Sequence, residues 1–156
     1  MSVAFVEAWV EEPVRRFVAD ARVVLALLLY PSGQVLAQHG FVRAVDVMAT
    51  CALAAAIRAS SGELGRQLDG KPFTGLHHPG RQRQIFIAEA NTHRGPYIFL
   101  TVFGEESSLG LVQLYFKELE QGLAAAAPVA RKQEAVLATD FEGELNRNLA
   151  ALFRTT

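Results

Sequence analysis

"RVVLALLLYPSGQVLAQHG", residues 22 to 40, decides how the rest of the chain is read. Val23 to Tyr30 is apolar at every position. A strand with one wet face alternates polar and apolar residues, so an unbroken apolar run implies a strand covered on both faces. Pro31-Ser32-Gly33 supplies turn chemistry, and Gln34 to His39 returns as a second, more polar strand. Downstream, Asp46 is placed to cap a helix whose body, VMATCALAAAIRAS, is rich in alanine. That helix covers residues 47 to 60 or beyond, and a long loop is expected from Ser60 to Lys71. Three further strands follow at residues 73–78, 84–90 and 97–103, separated by Pro79-Gly80 and by Asn91 to Pro96.

Ser107 or Ser108 caps a long helix, LGLVQLYFKELEQGLAAAA, with Leu109, Val112, Phe116, Leu119 and Leu123 along one face. Upstream of the hairpin, a helix from about Glu12 to Ala19 buries Val14, Phe17 and Val18. The first ten residues suit either a helix or an extended arm. After Pro128, "DFEGELNRNLAALF" places Phe141, Leu145, Leu149, Leu152 and Phe153 on one helical stripe. Strands 23–30, 84–90 and 97–103 are apolar on both faces and belong in the centre of a sheet. The mixed strands 34–39 and 73–78 belong at its edges. Short connections make the sheet antiparallel, and a helix layer must cover each face. The expected fold is one α/β domain with the order helix, strand, strand, helix, three strands, helix.

The composition suits that reading. The chain has 156 residues, 51% apolar and 20% charged, with a formal net charge of −1. Such a balance gives no electrostatic reason to expect a nucleic-acid partner. Its longest apolar run, eight residues, falls well short of the roughly twenty that span a bilayer, so no membrane span is expected. The opening MSVAFVEAWVEEP carries Glu7, Glu11 and Glu12 and lacks a basic stretch, so no signal peptide is expected. A single cysteine, Cys51, cannot form an intramolecular disulfide and fits a reducing compartment. The expected location is cytoplasmic.

Motifs for catalysis are weak. "GRQLDGKPFTG", residues 65–75, nearly spells a phosphate-binding loop, but Pro72 stands where Ser or Thr would meet Mg²⁺. The stretch also follows a helix and enters a strand, the reverse of the context that brings backbone N–H groups and a helix dipole to a phosphate. It reads instead as a helix end and a turn, with Gly70 free to take positive φ. His77 and His78 are adjacent in a strand and point to opposite faces, which disfavours one shared metal ion. Glu105 and Glu106 precede a helix, where their charge complements its N-terminus. No enzyme activity, cofactor or metal is expected.

A surface for self-association is the stronger expectation. The 73–78 strand leaves backbone groups unpaired at an edge. The helix beside it carries Met48, Ala52, Ala55 or Ala56, and Ala59, small residues for the most part, which either pack on the chain's own sheet or allow a close two-fold approach. Met48, Cys51, Ala52, Ala55, Ala59, Phe73 and Leu76 are the expected residues of an interface, either with a second copy or with another partner protein.

The hairpin, the alanine-rich helix and "YIFLTVFGEESSLGLVQLYFKELEQGL" together resemble the roadblock (dynein light-chain roadblock) family, in particular its bacterial mutual gliding-motility B (MglB) members. The resemblance covers roughly residues 12 to 125. It implies a roadblock fold: a five-stranded antiparallel sheet with one helix on one face and two on the other. The domain would occupy residues 1–127, and residues 128–156 would form a C-terminal helical extension like that of MglB proteins. Phe141, Leu145, Leu149 and Phe153 would make its partner-binding helix. The resemblance further implies a homodimer, or a heterodimer with another roadblock protein, that binds a Ras-like small GTPase of the MglA kind. Such proteins stimulate GTP hydrolysis or modulate nucleotide exchange by reordering the switch regions, without donating a catalytic arginine, and serve cell polarity or gliding motility. Other roadblock proteins are scaffolds without GTPase-activating activity. A third class, an enzyme or small-molecule sensor, would need a polar pocket fed by His77, His78 and His93.

Overall fold

All five residues of Leu25–Leu29 are buried, because a helix layer lies against each side of this strand. The computed structural model describes residues 3–5, 7–40, 42, 43, 46–128 and 147. In chain order the elements are β1 (Val3–Phe5), a 3-10 turn (Ala8–Val10), α1 (Glu11–Ala21), β2 (Leu25–Leu29) and β3 (Val35–Gly40). They continue with α2 (Val47–Asp69), β4 (Gly75–Pro79), β5 (Gln84–Thr92), β6 (Gly95–Phe103) and α3 (Leu109–Ala126). The strands form one sheet in the order β1-β3-β2-β6-β5-β4, antiparallel at every pairing. The three strands that are apolar on both faces lie inside, as expected. The five-stranded antiparallel sheet is present, and β1 adds a short sixth strand on β3, from Val3 opposite His39 to Phe5 opposite Ala37. Of the two readings of the first residues, 3–5 take the extended one.

Pleat alternation sorts neighbouring residues into two cores. On one face Ala26, Leu28, Phe99 and Phe103 meet Val14 and Phe17 of α1 and Val112, Leu119 and Leu123 of α3. On the other, Leu25, Leu27, Leu29, Ile98 and Leu100 meet Cys51 and Ala54 of α2. One helix therefore covers one face and two cover the other. Buried Thr101 donates its hydroxyl to the Leu25 carbonyl at 2.8 Å, and among the described residues no buried side-chain polar atom lacks a partner. Both expected caps form. Asp46 accepts from the Ala49 N–H at 3.2 Å, and Ser108 accepts from the Leu111 N–H at 3.2 Å. Ser107 instead donates to the Ala21 carbonyl, tying the start of α3 to the end of α1.

The expected long connection after Ser60 is mostly helix, because α2 runs for 23 residues to Asp69. Its end is a left-handed Gly70 (φ 74°) whose N–H bonds the Arg66 carbonyl at 3.1 Å. The chain then folds back over the helix. A Cβ on Gly65 would stand 2.3 Å from the Phe73 backbone nitrogen, so this glycine lets the returning segment cross. The near phosphate loop is thus built from a packing glycine and a capping glycine. Gly65→Ala should destabilise the chain by about 1–3 kcal/mol in urea unfolding, because backbone must move. The intrinsic helix preference for alanine runs the other way, by about 1 kcal/mol. A variant more stable than the parent would therefore show that no such crossing exists.

His39, in β3, has its imidazole held below the usual 6.5 by burial, reinforced by Arg15 and opposed by Glu11. Below 6.5 the unfolded chain binds more protons at this site than the folded one, so stability falls as pH drops through that window. His39→Gln should accordingly lose less stability between about pH 7 and about pH 5 than the parent chain does. Equal losses in urea titrations at the two pH values would remove His39 from the acid response.

Helix α3 stops where Ala127 leaves helical geometry and Pro128 follows, a residue that cannot continue the helical hydrogen bonding. The expected extension, residues 128–156 with Phe141, Leu145, Leu149 and Phe153, lies outside the described residues apart from Pro128 and Arg147.

Candidate functional site

Among the described residues, β4 pairs only with β5, so its outer edge is open. The opposite end of the sheet is partly covered, since β1 lies on β3. An open edge presents backbone donors and acceptors that a second strand can satisfy. Pro79, at the end of β4, limits that edge to a few residues.

The flank of α2 that adjoins this edge is apolar. Leu53, Ile57, Leu64 and Leu68 fall within a sixth of a turn of one another at helical spacing. Ile57 and Ser61 line the crevice between α2 and β4 together with Phe73 and Leu76. Leu53 is 64% exposed, Leu64 52%, Leu68 72% and Phe73 41%. Four large apolar side chains are thus exposed along one helix and its return segment, and clustering of such residues is what marks an interaction surface. Beneath it, Arg58 of α2 grips the Glu89 carboxylate of β5 through two nitrogens, fixing the helix over this side of the sheet.

The seven residues expected at the interface do not share one surface. Phe73 and Leu76 sit on the β4 flank. Met48 and Ala52 lie on the opposite flank, lining an open hollow with the hairpin turn from Tyr30 to Val35. Ala55 is half-buried there, because Gly33 of the turn packs against Ala52 and Ala55: a Cβ on Gly33 would lie 3.6 Å from the Ala52 Cα and 3.7 Å from the Ala55 Cβ. Ala59 is exposed on the same side. The small residues thus admit the chain's own hairpin. Cys51 is a correction: it is fully buried against the sheet and offers nothing to a partner. Burial also pushes its thiol pKa up, away from the thiolate form that reacts. The stripe Leu53, Ile57, Leu64, Leu68 was missed, although its spacing is written in the sequence.

The histidines do not converge. His77 is half-buried, bonds Gln84 at 2.7 Å and stacks on Phe103, while His78 is exposed on the other side of the strand. His39 sits in β3, and His93 is in the turn between β5 and β6. No group of three or more metal-ligating side chains occurs among the described residues. No helix among them is long and apolar enough to cross a membrane.

No family model and no curated relative matches the chain. Solved structures do. The gliding protein MglB from Thermus thermophilus is 26% identical, with a TM-score of 0.66 over 81% of this chain and 96% of that one. An MglB with tetrameric arrangement is 25% identical, with a TM-score of 0.67 over 81% and 95%. A roadblock/LC7 domain from Streptomyces avermitilis shares the fold at 17% identity, with a TM-score of 0.59 over 77% and 95%. The chain has a roadblock fold that resembles MglB.

Proposed function

We propose that this chain is a homodimeric, non-catalytic regulator of a Ras-like small GTPase of the MglA kind, acting in the cytoplasm in cell polarity or gliding. The observation that carries the reading is the likeness to MglB structures along nearly their whole length at 25 and 26% identity. In the proposed dimer, the β4 edges and the Leu53, Leu64 and Leu68 flanks of two copies meet about a two-fold axis. The outward flank of α2, with Met48, Ala52, Ala59 and the hairpin turn, is then left on each subunit for the GTPase.

A regulator of this kind works by differential binding. It raises hydrolysis only if it holds the transition-state arrangement of the switch segments more tightly than the resting one. A thousandfold acceleration corresponds to about 4 kcal/mol of such difference. Calorimetric titration of purified Ras-like GTPases, loaded with a non-hydrolysable GTP analogue or with GDP, tests the contact itself. The analogue-bound form should bind more tightly, and Met48→Arg should weaken that binding while leaving the dimer intact. Absence of binding to either form would remove the GTPase reading. Binding without any change in hydrolysis would move the chain to the roadblock scaffolds.

A further inference from the structure

We propose that the groove between α1 and α3 is the docking site for a basic amphipathic helix of a partner protein. The proposal does not rest on the GTPase reading. The groove lies on the face of the sheet opposite α2, so the proposed pairing through β4 and α2 leaves it uncovered. It has a volume of about 450 Å³. Buried Phe17 and Leu119 make its floor, and half-buried Trp9 and Tyr115 stand in its walls. The Trp9 indole N–H is held by the Glu7 carboxylate, which fixes that wall. Four charged side chains, Glu12, Arg16, Asp20 and Glu118, are exposed along the rim. From Tyr115 to Ala126 the α3 wall runs for roughly 17 Å, enough for about three turns of an added helix.

Charge selects the sign of the occupant. The rim sets three carboxylates against one guanidinium. Arg15, which does not line the groove, engages Glu12. Arg16 stands one helical turn from both Glu12 and Asp20, so its charge is offset on its own helix. Asp20 and Glu118, one on each helix, take part in no ion pair among the described residues. The last turn of α3 holds no basic residue, so its terminal carbonyls extend the negative potential to the Ala125 and Ala126 end of the groove. An anionic segment would meet like charge along this rim, whereas Lys and Arg on the edges of a partner helix meet opposite charge. Backbone chemistry selects the helix. Both walls are helices whose backbone groups bond internally, so the groove offers no row of donors and acceptors to an extended peptide. A helix brings its own backbone bonds and lays an apolar stripe on Phe17 and Leu119.

Trp9 is the only tryptophan of the chain, and it lines the groove, so its fluorescence reads the occupant directly. The full chain should be titrated with a tryptophan-free amphipathic peptide carrying Leu on one face and Lys on the other, and with its twin carrying Glu for Lys. The Lys peptide should shield Trp9 from acrylamide, and added salt should weaken its binding. The twin should leave Trp9 as quenchable as before. Asp20→Lys with Glu118→Lys, both at exposed positions, should raise the Lys peptide's dissociation constant about tenfold with unchanged far-ultraviolet circular dichroism. Shielding by neither peptide, equal shielding by both, or binding of the Lys peptide that survives the two charge reversals overturns the proposal. Shielding of Trp9 that grows with chain concentration in the absence of peptide also overturns it, because the occupant would then be a second copy of this chain.

Discussion

The double variant Leu53→Asp, Leu64→Asp is expected to be monomeric at concentrations where the parent chain is a dimer. Both side chains are more than half exposed in the single chain, so the fold itself loses little when they become polar. In the proposed dimer each would be buried, and a buried leucine contributes about 1.5–3 kcal/mol relative to an exposed one. Two-fold symmetry places every substitution in the interface twice. An unpaired carboxylate in that position adds a desolvation cost. The dimer dissociation constant should rise by about a hundredfold or more, equivalent to about 2.7 kcal/mol. Sedimentation equilibrium measures it. Met48→Asp, on the opposite flank of the same helix, should leave the dimer as tight as before. If Met48→Asp dissociates the dimer and the leucine pair does not, the two flanks have been assigned the wrong way round.

Phe99→Ala should bring the largest loss of stability. Phe99 is fully buried in β6, with its ring 4.8 Å from that of Phe17 in α1 and 5.6 Å from that of Phe116 in α3. One side chain therefore joins both helices of this face to the sheet. Truncating a buried phenylalanine costs about 3–5 kcal/mol through lost transfer energy and the cavity left behind. That is a large share of the roughly 5–15 kcal/mol that holds a domain folded. Urea unfolding with a loss under about 1 kcal/mol would mean that α1 and α3 are not anchored through this ring. Because the proposed dimerisation would also add to apparent stability, the comparison should be made at one chain concentration.

Much of the fold was written in local patterns. The apolar run at Val23 to Tyr30 and the Pro-Ser-Gly turn gave the hairpin, and Asp46 and Ser108 marked two helix starts. What escaped has a common cause: glycines and alanines that serve tertiary contacts look like breakers or like an interface. Residues 47 to 60 or beyond read as helix, and α2 runs on to Asp69 with Gly70 as its cap. Gly62 and Gly65 are buried there, and Gly65 in particular lets residues 71–73 pass over it. Ala52 and Ala55 read as a face for a partner, yet their size fits the chain's own Gly33 turn. The leucine stripe on the other flank of α2 was obscured by the alanines between its members. Only the position of β4 shows which flank adjoins the open edge. Strand β1 is three residues long, too short for alternation to declare it.

GTP turnover by each Ras-like GTPase of the source organism, with and without the purified full chain and with the chain alone as control, tests the regulator reading most directly. Acceleration that rises with chain concentration, is absent from the chain alone, and is lost in Met48→Arg is the expected result. Turnover unchanged for every GTPase, or turnover by the chain alone, would contradict it.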